Sequence, residues 1–149
     1  MTNYPEKLNA VIEDFSFITD RNERVEYLIE IADRFPQSKV PPRIATPPYD
    51  ESHRVPACES EAFVWTQENV DGTLKYYFDV LNPQGLSAKA MAVVLDETCS
   101  NQPLEKVASI TTDIVFNLFG KEISMGKGQG LMSIVNMVQY EAKRRIQKV

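Results

Sequence analysis

Cys58 stands in His53-Arg54-Val55-Pro56-Ala57-Cys58-Glu59-Ser60, at the seam between a proline-rich stretch and an apolar run. A thiol at such a seam can be partly exposed and held by a rigid neighbour, which suits a nucleophile; a structural cysteine more often sits mid-element on an apolar face. Arg54 and His53 favour the thiolate if the chain folds back on it, while Glu59 and Glu61 oppose it, and the sequence leaves that balance open. His53 is the only histidine. A Cys–His couple requires the imidazole within hydrogen-bond reach of sulfur, arranged in space rather than by adjacency in sequence, so His53 reads first as a solvated loop residue. Cys99 follows Glu97-Thr98 at the end of an apolar segment and reads as an incidental or partly buried thiol.

Two cysteines are too few for a disulfide framework, a four-thiolate zinc site or an ordinary iron–sulfur ligand set. One histidine and two cysteines are a weak basis for a zinc site completed by carboxylates, and the sequence calls for no metal or cofactor. Four of the six glycines fall within residues 120–130, and Gly126-Lys127-Gly128-Gln129-Gly130 precedes an apolar helical stripe. The phosphate-cradling patterns fail there, because Lys127 is followed by Gly128 rather than Ser or Thr and no third Gly stands at position 131. A helix start with a nearby Lys still favours an anion.

The elements that must position these residues follow from periodicity. Leu8, Val11, Ile12 and Phe15 share one helical face. Asp20 reads as the cap of a second helix running to Pro36, with Glu23 in the capping-box position ahead of Val25, Leu28, Ile29, Ala32 and Phe35. Six of the nine prolines then crowd into residues 36–56, a long surface loop with few apolar residues to bury. Loops of that length in compact domains are usually functional or disordered. Ala62 to Trp65 have strand character, Asn69-Val70-Asp71-Gly72 supplies a turn, and Leu74, Tyr76, Phe78 and Val80 alternate with polar or amphipathic neighbours, which predicts an antiparallel hairpin.

Leu86 to Asp96 is apolar nearly all round, as a buried central helix would be. Pro103 reads as an early residue of a short helix, and Thr112 or Asp113 as the cap of another ending at Gly120. Leu131, Ile134, Val135, Val138 and Ala142 mark a last helix whose end carries Lys143, Arg144, Arg145 and Lys148. Strands grouped between helices predict an α+β fold, a small antiparallel sheet covered by helices on one face, in a single domain over residues 1–149.

The charge sum of −5 argues against a nucleic-acid footprint. The longest apolar run, the six residues Ala90–Leu95, is far short of the roughly 20 residues of a membrane span. The first residues, Met1-Thr-Asn-Tyr-Pro-Glu-Lys, lack the pattern of a secretory or transit segment, so a cytoplasmic location is expected.

The chain resembles the SufE-like sulfur acceptors, whose hallmark is one cysteine in a V-x-G-C-x-S setting ahead of a Trp-containing strand. Here Val55-Pro56-Ala57-Cys58-Glu59-Ser60 leads to Trp65. Ala88-Lys89-Ala90-Met91 stands in the place of the family's V-K-G-L helix, and Lys127-Gly128-Gln129-Gly130-Leu131 in that of its S-R-x-x-G-L helix start. Three departures are Ala57 and Ala90 for glycines and Lys127 for arginine. Alanine meets a steric cost at positive φ that glycine escapes, and Lys lacks the planar fork of Arg.

The resemblance implies a SufE/IscU-like fold and sulfur relay. Cys58 would take persulfide sulfur from a cysteine desulfurase, a pyridoxal-phosphate enzyme, and pass it to a scaffold for iron–sulfur cluster assembly. Arg54, Lys89 and Lys127 would supply an electropositive surround. Such a protein is a persulfide carrier and desulfurase activator rather than a stand-alone enzyme. The cluster-building scaffolds of the same fold use three cysteines, which this chain lacks. Two other readings stay open: a desulfurase-binding module that has lost sulfur acceptance, motivated by Ala57 and Ala90, and an independent thiol enzyme pairing Cys58 with His53.

Overall fold

The computed structural model describes residues 2–147; Lys148, expected at the basic end of the last helix, lies outside them. Six α-helices and one hairpin follow in the order α1 (Glu6–Ser16), α2 (Arg21–Ala32), β1 (Ala62–Glu68), β2 (Leu74–Val80), α3 (Leu86–Cys99), α4 (Leu104–Ala108), α5 (Ile114–Phe119) and α6 (Met125–Ile146). The α+β architecture is as expected. Asp20 caps α2 by accepting the Asn22 N–H. The helix stops at Ala32 rather than at Pro36, because a proline ring collides with the carbonyl four residues earlier, here that of residue 32; a short 3-10 turn, Phe35–Gln37, carries the chain on.

The strands pair antiparallel with Ala62 opposite Val80 and Glu68 opposite Leu74. Strand side chains alternate between faces, and here both faces are covered. Ala62, Val64, Leu74, Tyr76, Phe78 and Val80 join the main core built with the helices, while Phe63 and Trp65 pack with Val40 on the opposite side, flanked by Ile44, Ala45, Tyr49 and Tyr77. The proline-rich loop is therefore a packed layer over the outer face of the hairpin, not a bare surface excursion. Its few apolar side chains suffice because they meet two large aromatics, each worth about 2–3 kcal/mol when buried. Tyr49 donates a 2.5 Å hydrogen bond to Asp79, and Lys39 bridges to Phe78 on the edge of β2.

Helix α3 runs through the middle of the molecule, with Ala90, Met91, Val93, Leu95 and Cys99 wholly shielded from solvent. Its buried Asp96 accepts hydrogen bonds from Ser38, Lys75 and Ser100 at 2.6–2.7 Å, and the Ser100 hydroxyl in turn accepts the Tyr76 N–H. This network joins α3 to β2 and to the beginning of the loop, and every buried lone pair it uses has a donor. Tyr76 is anchored at its far end, donating to the Val138 carbonyl of α6 at 2.9 Å.

Candidate functional site

The segment ahead of β1 folds back on that strand. Arg54 pairs antiparallel with Phe63, and the Val55 N–H donates to the Ala62 carbonyl at 2.8 Å. What remains between them, residues 56–61, is a tight loop with Cys58 near its tip. Ala57 on one side of the cysteine and Glu61 on the other have φ of 56° and 54°, a left-handed conformation that costs an L-residue about 1–2 kcal/mol. Hydrogen bonds hold the loop there: the Glu61 N–H donates to the Cys58 carbonyl, the Leu81 N–H to Glu61 and the Asn82 N–H to Ser60. The conformation is thus held by one bond within the loop and by two from the residues that follow β2.

Cys58 is half-buried and lines a cleft of about 170 Å3. The opposite walls are the beginnings of two helices. Leu86, Ser87 and Ala88 come from the first turn of α3, and Gly126 and Lys127 from that of α6, with Gly130 and Leu131 one turn on. No side chain caps α3, whereas Ser124 caps α6 by accepting the Lys127 N–H. Helix N-termini carry partial positive charge and unsatisfied N–H groups. A cleft with two of them beside a sulfur atom is suited to an anion.

Two glycines let the walls close in. A Cβ added to Gly130 would stand 3.3 Å from the Cys58 Cα and 3.5 Å from its Sγ. One added to Gly85 would press to 2.7 Å from Val80 and 3.2 Å from the Ser60 Cβ. Gly130 falls on the glycine of the motif at the start of α6, whereas Gly85 shows in the sequence only as the end of the Asn82-Pro83-Gln84-Gly85 break and Ser87 carries no signal.

Lys127 is the one residue of the expected electropositive surround that lines the cleft. Arg54 is engaged on the loop side, ion-paired with Glu51 at 2.8 Å and set over the Phe63 ring. Lys89, one turn into α3, extends over Phe35. Neither is among the cleft residues, because strand pairing turns Arg54 toward the proline-rich layer and the helical rotation carries Lys89 off the face that Ser87 and Ala88 present. His53 is likewise occupied: its Nδ1 lies 3.0 Å from the Val64 carbonyl and its ring stacks on Trp65, so it forms no couple with Cys58. Cys99 is completely buried, and burial pushes its thiol up to about 12. It is more enclosed than its position at a helix end suggested.

Among the described residues, no three His, Cys, Asp or Glu side chains gather as metal ligands would. No helix there is long and apolar enough to cross a membrane.

Residues 9–142 match the family described as SufE, Fe-S metabolism associated domain. The chain belongs to the SufE family. It is similar, at 24% identity, to an uncharacterized SufE-like protein of Rhizobium etli over 93% of this chain and 90% of that one. A second uncharacterized SufE-like protein, from Rhizobium meliloti, is also 24% identical, with 93% and 96% covered. The fold is that of the solution structure of a hypothetical protein from Thermus thermophilus, which superposes with a TM-score of 0.69 at 22% identity over 97% of this chain and 99% of that one. The matched domain is one associated with iron–sulfur metabolism, and Cys58 lies within the matched residues.

Proposed function

We propose that the protein is a sulfur acceptor: Cys58 takes the outer sulfur of a persulfide on a cysteine desulfurase and passes it on for iron–sulfur cluster assembly. The observation that carries this reading is the placement of the Cys58 thiol at the tip of a constrained loop, in a cleft closed by two helix starts. The Cys58 thiolate attacks the terminal sulfur of the desulfurase persulfide. A new S–S bond forms, the old one breaks, and the desulfurase cysteine leaves as thiolate while Cys58 becomes the persulfide. The transfer is an exchange with no net oxidation, so it needs no oxidant and no resident cofactor. Pyridoxal phosphate belongs to the partner. A scaffold thiolate then attacks the outer sulfur of the Cys58 persulfide, and Cys58 leaves as thiolate.

The chain's contribution is to present the sulfur and to shelter it. Lys127 and the first turns of α3 and α6 line one side of the cleft and favour the charge that passes from one sulfur to the next, outweighing Glu59 on the loop side. Half-burial of Cys58 in the cleft shields one side of the persulfide from bulk solvent. Ala57 holds the left-handed conformation in which the family carries glycine, which favours an acceptor over a docking module that has lost the loop geometry. Two free thiols fit the reducing cytoplasm, to which we assign the protein.

The test is intact mass spectrometry after incubation with a cysteine desulfurase and cysteine. Cys58 should gain about 32 Da, one sulfur atom, removable by dithiothreitol. Cys58→Ser should show no gain. A desulfurase that becomes persulfidated while Cys58 stays unmodified would overturn the reading.

A further inference from the structure

A second concavity, of about 630 Å3, opens beside the Cys58 cleft, between the start of α2 and the segment joining α5 to α6. The two share Ser87 and Lys127, so a chain lying in the groove continues into the cleft. The groove's charge runs against that of the whole protein. The chain carries −5, yet the groove is lined by four basic side chains, Arg21, Arg24, Lys121 and Lys127, and one carboxylate, Glu122.

Arg24 is committed to the fold, donating to the carbonyls of Asn117, Leu118 and Ile18, and thereby fixes the groove wall. The others are available. Arg21 reaches Glu122 only at 3.9 Å, with both side chains more than 80% exposed (84% and 87%), an arrangement that contributes little. Lys121 and Lys127 have no ion-pair partner among the described residues. Between these cations lie Val25, 45% exposed, and half-buried Phe119. Val25 belongs to the apolar stripe of α2 that the sequence directs into the core, but only Leu28, Ile31 and Ala32 of that helix are buried.

We propose that this groove is the docking site for the desulfurase, and that it receives an extended segment of that enzyme in which carboxylates flank an apolar side chain. The inference rests on the sulfur-acceptor reading above. The carboxylates meet Arg21 and Lys121, the apolar side chain covers Val25 and Phe119, and continuity through Lys127 brings the persulfide to Cys58. Rim charges of this kind steer encounter and fix register, while the apolar floor supplies the area removed from water. A local excess of basic side chains on a chain of net charge −5 draws an acidic segment toward this face.

The test measures binding of the full chain to the cysteine desulfurase encoded in the same genome, alongside sulfur loading of Cys58. The double variant Arg21→Glu with Lys121→Glu should bind about tenfold more weakly, with a flatter salt dependence. It should still be loaded at the wild-type rate by glutathione persulfide, which needs no docking and reports an intact Cys58 loop. Glu122→Lys removes the groove's carboxylate and should tighten binding several-fold, a gain that misfolding does not produce. If the double variant and Glu122→Lys both bind as the wild type does, the docking proposal is overturned and the sulfur-acceptor reading stands. If binding responds to the groove charges but wild-type Cys58 gains no sulfur, the groove stands as a docking site and the acceptor reading falls.

Discussion

Cys99 ends α3 with its sulfur wholly enclosed by the core and its thiol pushed up to about 12 by burial, whereas Cys58 stands half-buried on a loop bounded by two left-handed residues. The two side chains are chemically identical and belong to one core, Cys99 inside the cluster and Cys58 packed against its margin. Their surroundings differ in kind. Around Cys99 the neighbours are helix-packed apolar groups and the Thr98 hydroxyl at 3.5 Å. Around Cys58 they are glycines and the first turns of α3 and α6. The difference is one of backbone arrangement: one thiol is enclosed by packed helices and the other stands on a loop with two left-handed residues.

The largest expected contrast is kinetic. Iodoacetamide at neutral pH should modify Cys58 in the folded protein at least about a hundredfold faster than Cys99, which becomes reactive only on unfolding. Peptide mapping of the alkylated protein checks this, and equal labelling of the two thiols would remove the distinction.

Next in size is the effect of the glycine contact. Gly130→Val drives a branched side chain into the Cys58 loop, where even a bare Cβ stands 3.3 Å from the backbone. It should slow sulfur loading of Cys58 by at least tenfold and cost about 1–3 kcal/mol in urea unfolding. Gly128→Ala is the matched control, because a Cβ there meets nothing closer than 3.7 Å. That variant should load normally and gain up to about 1 kcal/mol from helix propensity.

A smaller effect belongs to the buried thiol. Cys99→Ala should cost about 1–2 kcal/mol through lost packing and leave sulfur loading of Cys58 unchanged. The raised value of the Cys99 thiol means that the folded state keeps a proton that the unfolded chain releases near its ordinary value of 9. Its contribution is therefore complete below pH 9 and is lost as pH rises from about 9 toward 12. Wild type should lose stability more steeply than Cys99→Ala across that window, as thermal melts at successive pH values would record.

The smallest change is expected at the loop itself. Ala57→Gly relieves a left-handed alanine, about 1–2 kcal/mol, but adds chain freedom to the unfolded state at a cost of about 0.5–1 kcal/mol. A net gain of about 0.5–1 kcal/mol is expected from denaturant melts. A loss would mean that the turn does not hold Ala57 at its φ of 56° in solution.

Helix and hairpin assignments were legible because period and cap residues are local. Phe15, Tyr76 and Val138 turn inward as their spacing dictates, and Asp20 caps α2. Legibility ended where an element's rotation depends on its neighbours. Val25 and Ile29 continue the apolar stripe of α2 yet are 45% and 40% exposed, since the core has room for only one side of that helix. The proline-rich segment looked too polar to pack, and it packs because Phe63 and Trp65 wait on the outer face of β1. Of the three cations expected around the thiol, Lys127 was legible from its place at the start of α6, while Arg54 and Lys89 turn to Phe63 and Phe35. The ring stack that occupies His53 could not be read from its distance to Cys58 along the chain.

The order of elements, the loop position of Cys58 and the scarcity of other thiols were determined by the amino-acid sequence alone, because each depends on residue type and short-range spacing. Tertiary structure decided what surrounds the sulfur. Gly85 and Gly130 lie 27 and 72 residues from Cys58 along the chain, and their approach follows from how α3 and α6 pack against the hairpin. No local rule encodes that convergence. It arises because burying the apolar faces of both helices brings their beginnings to the same edge of the sheet, where the loop preceding β1 must turn.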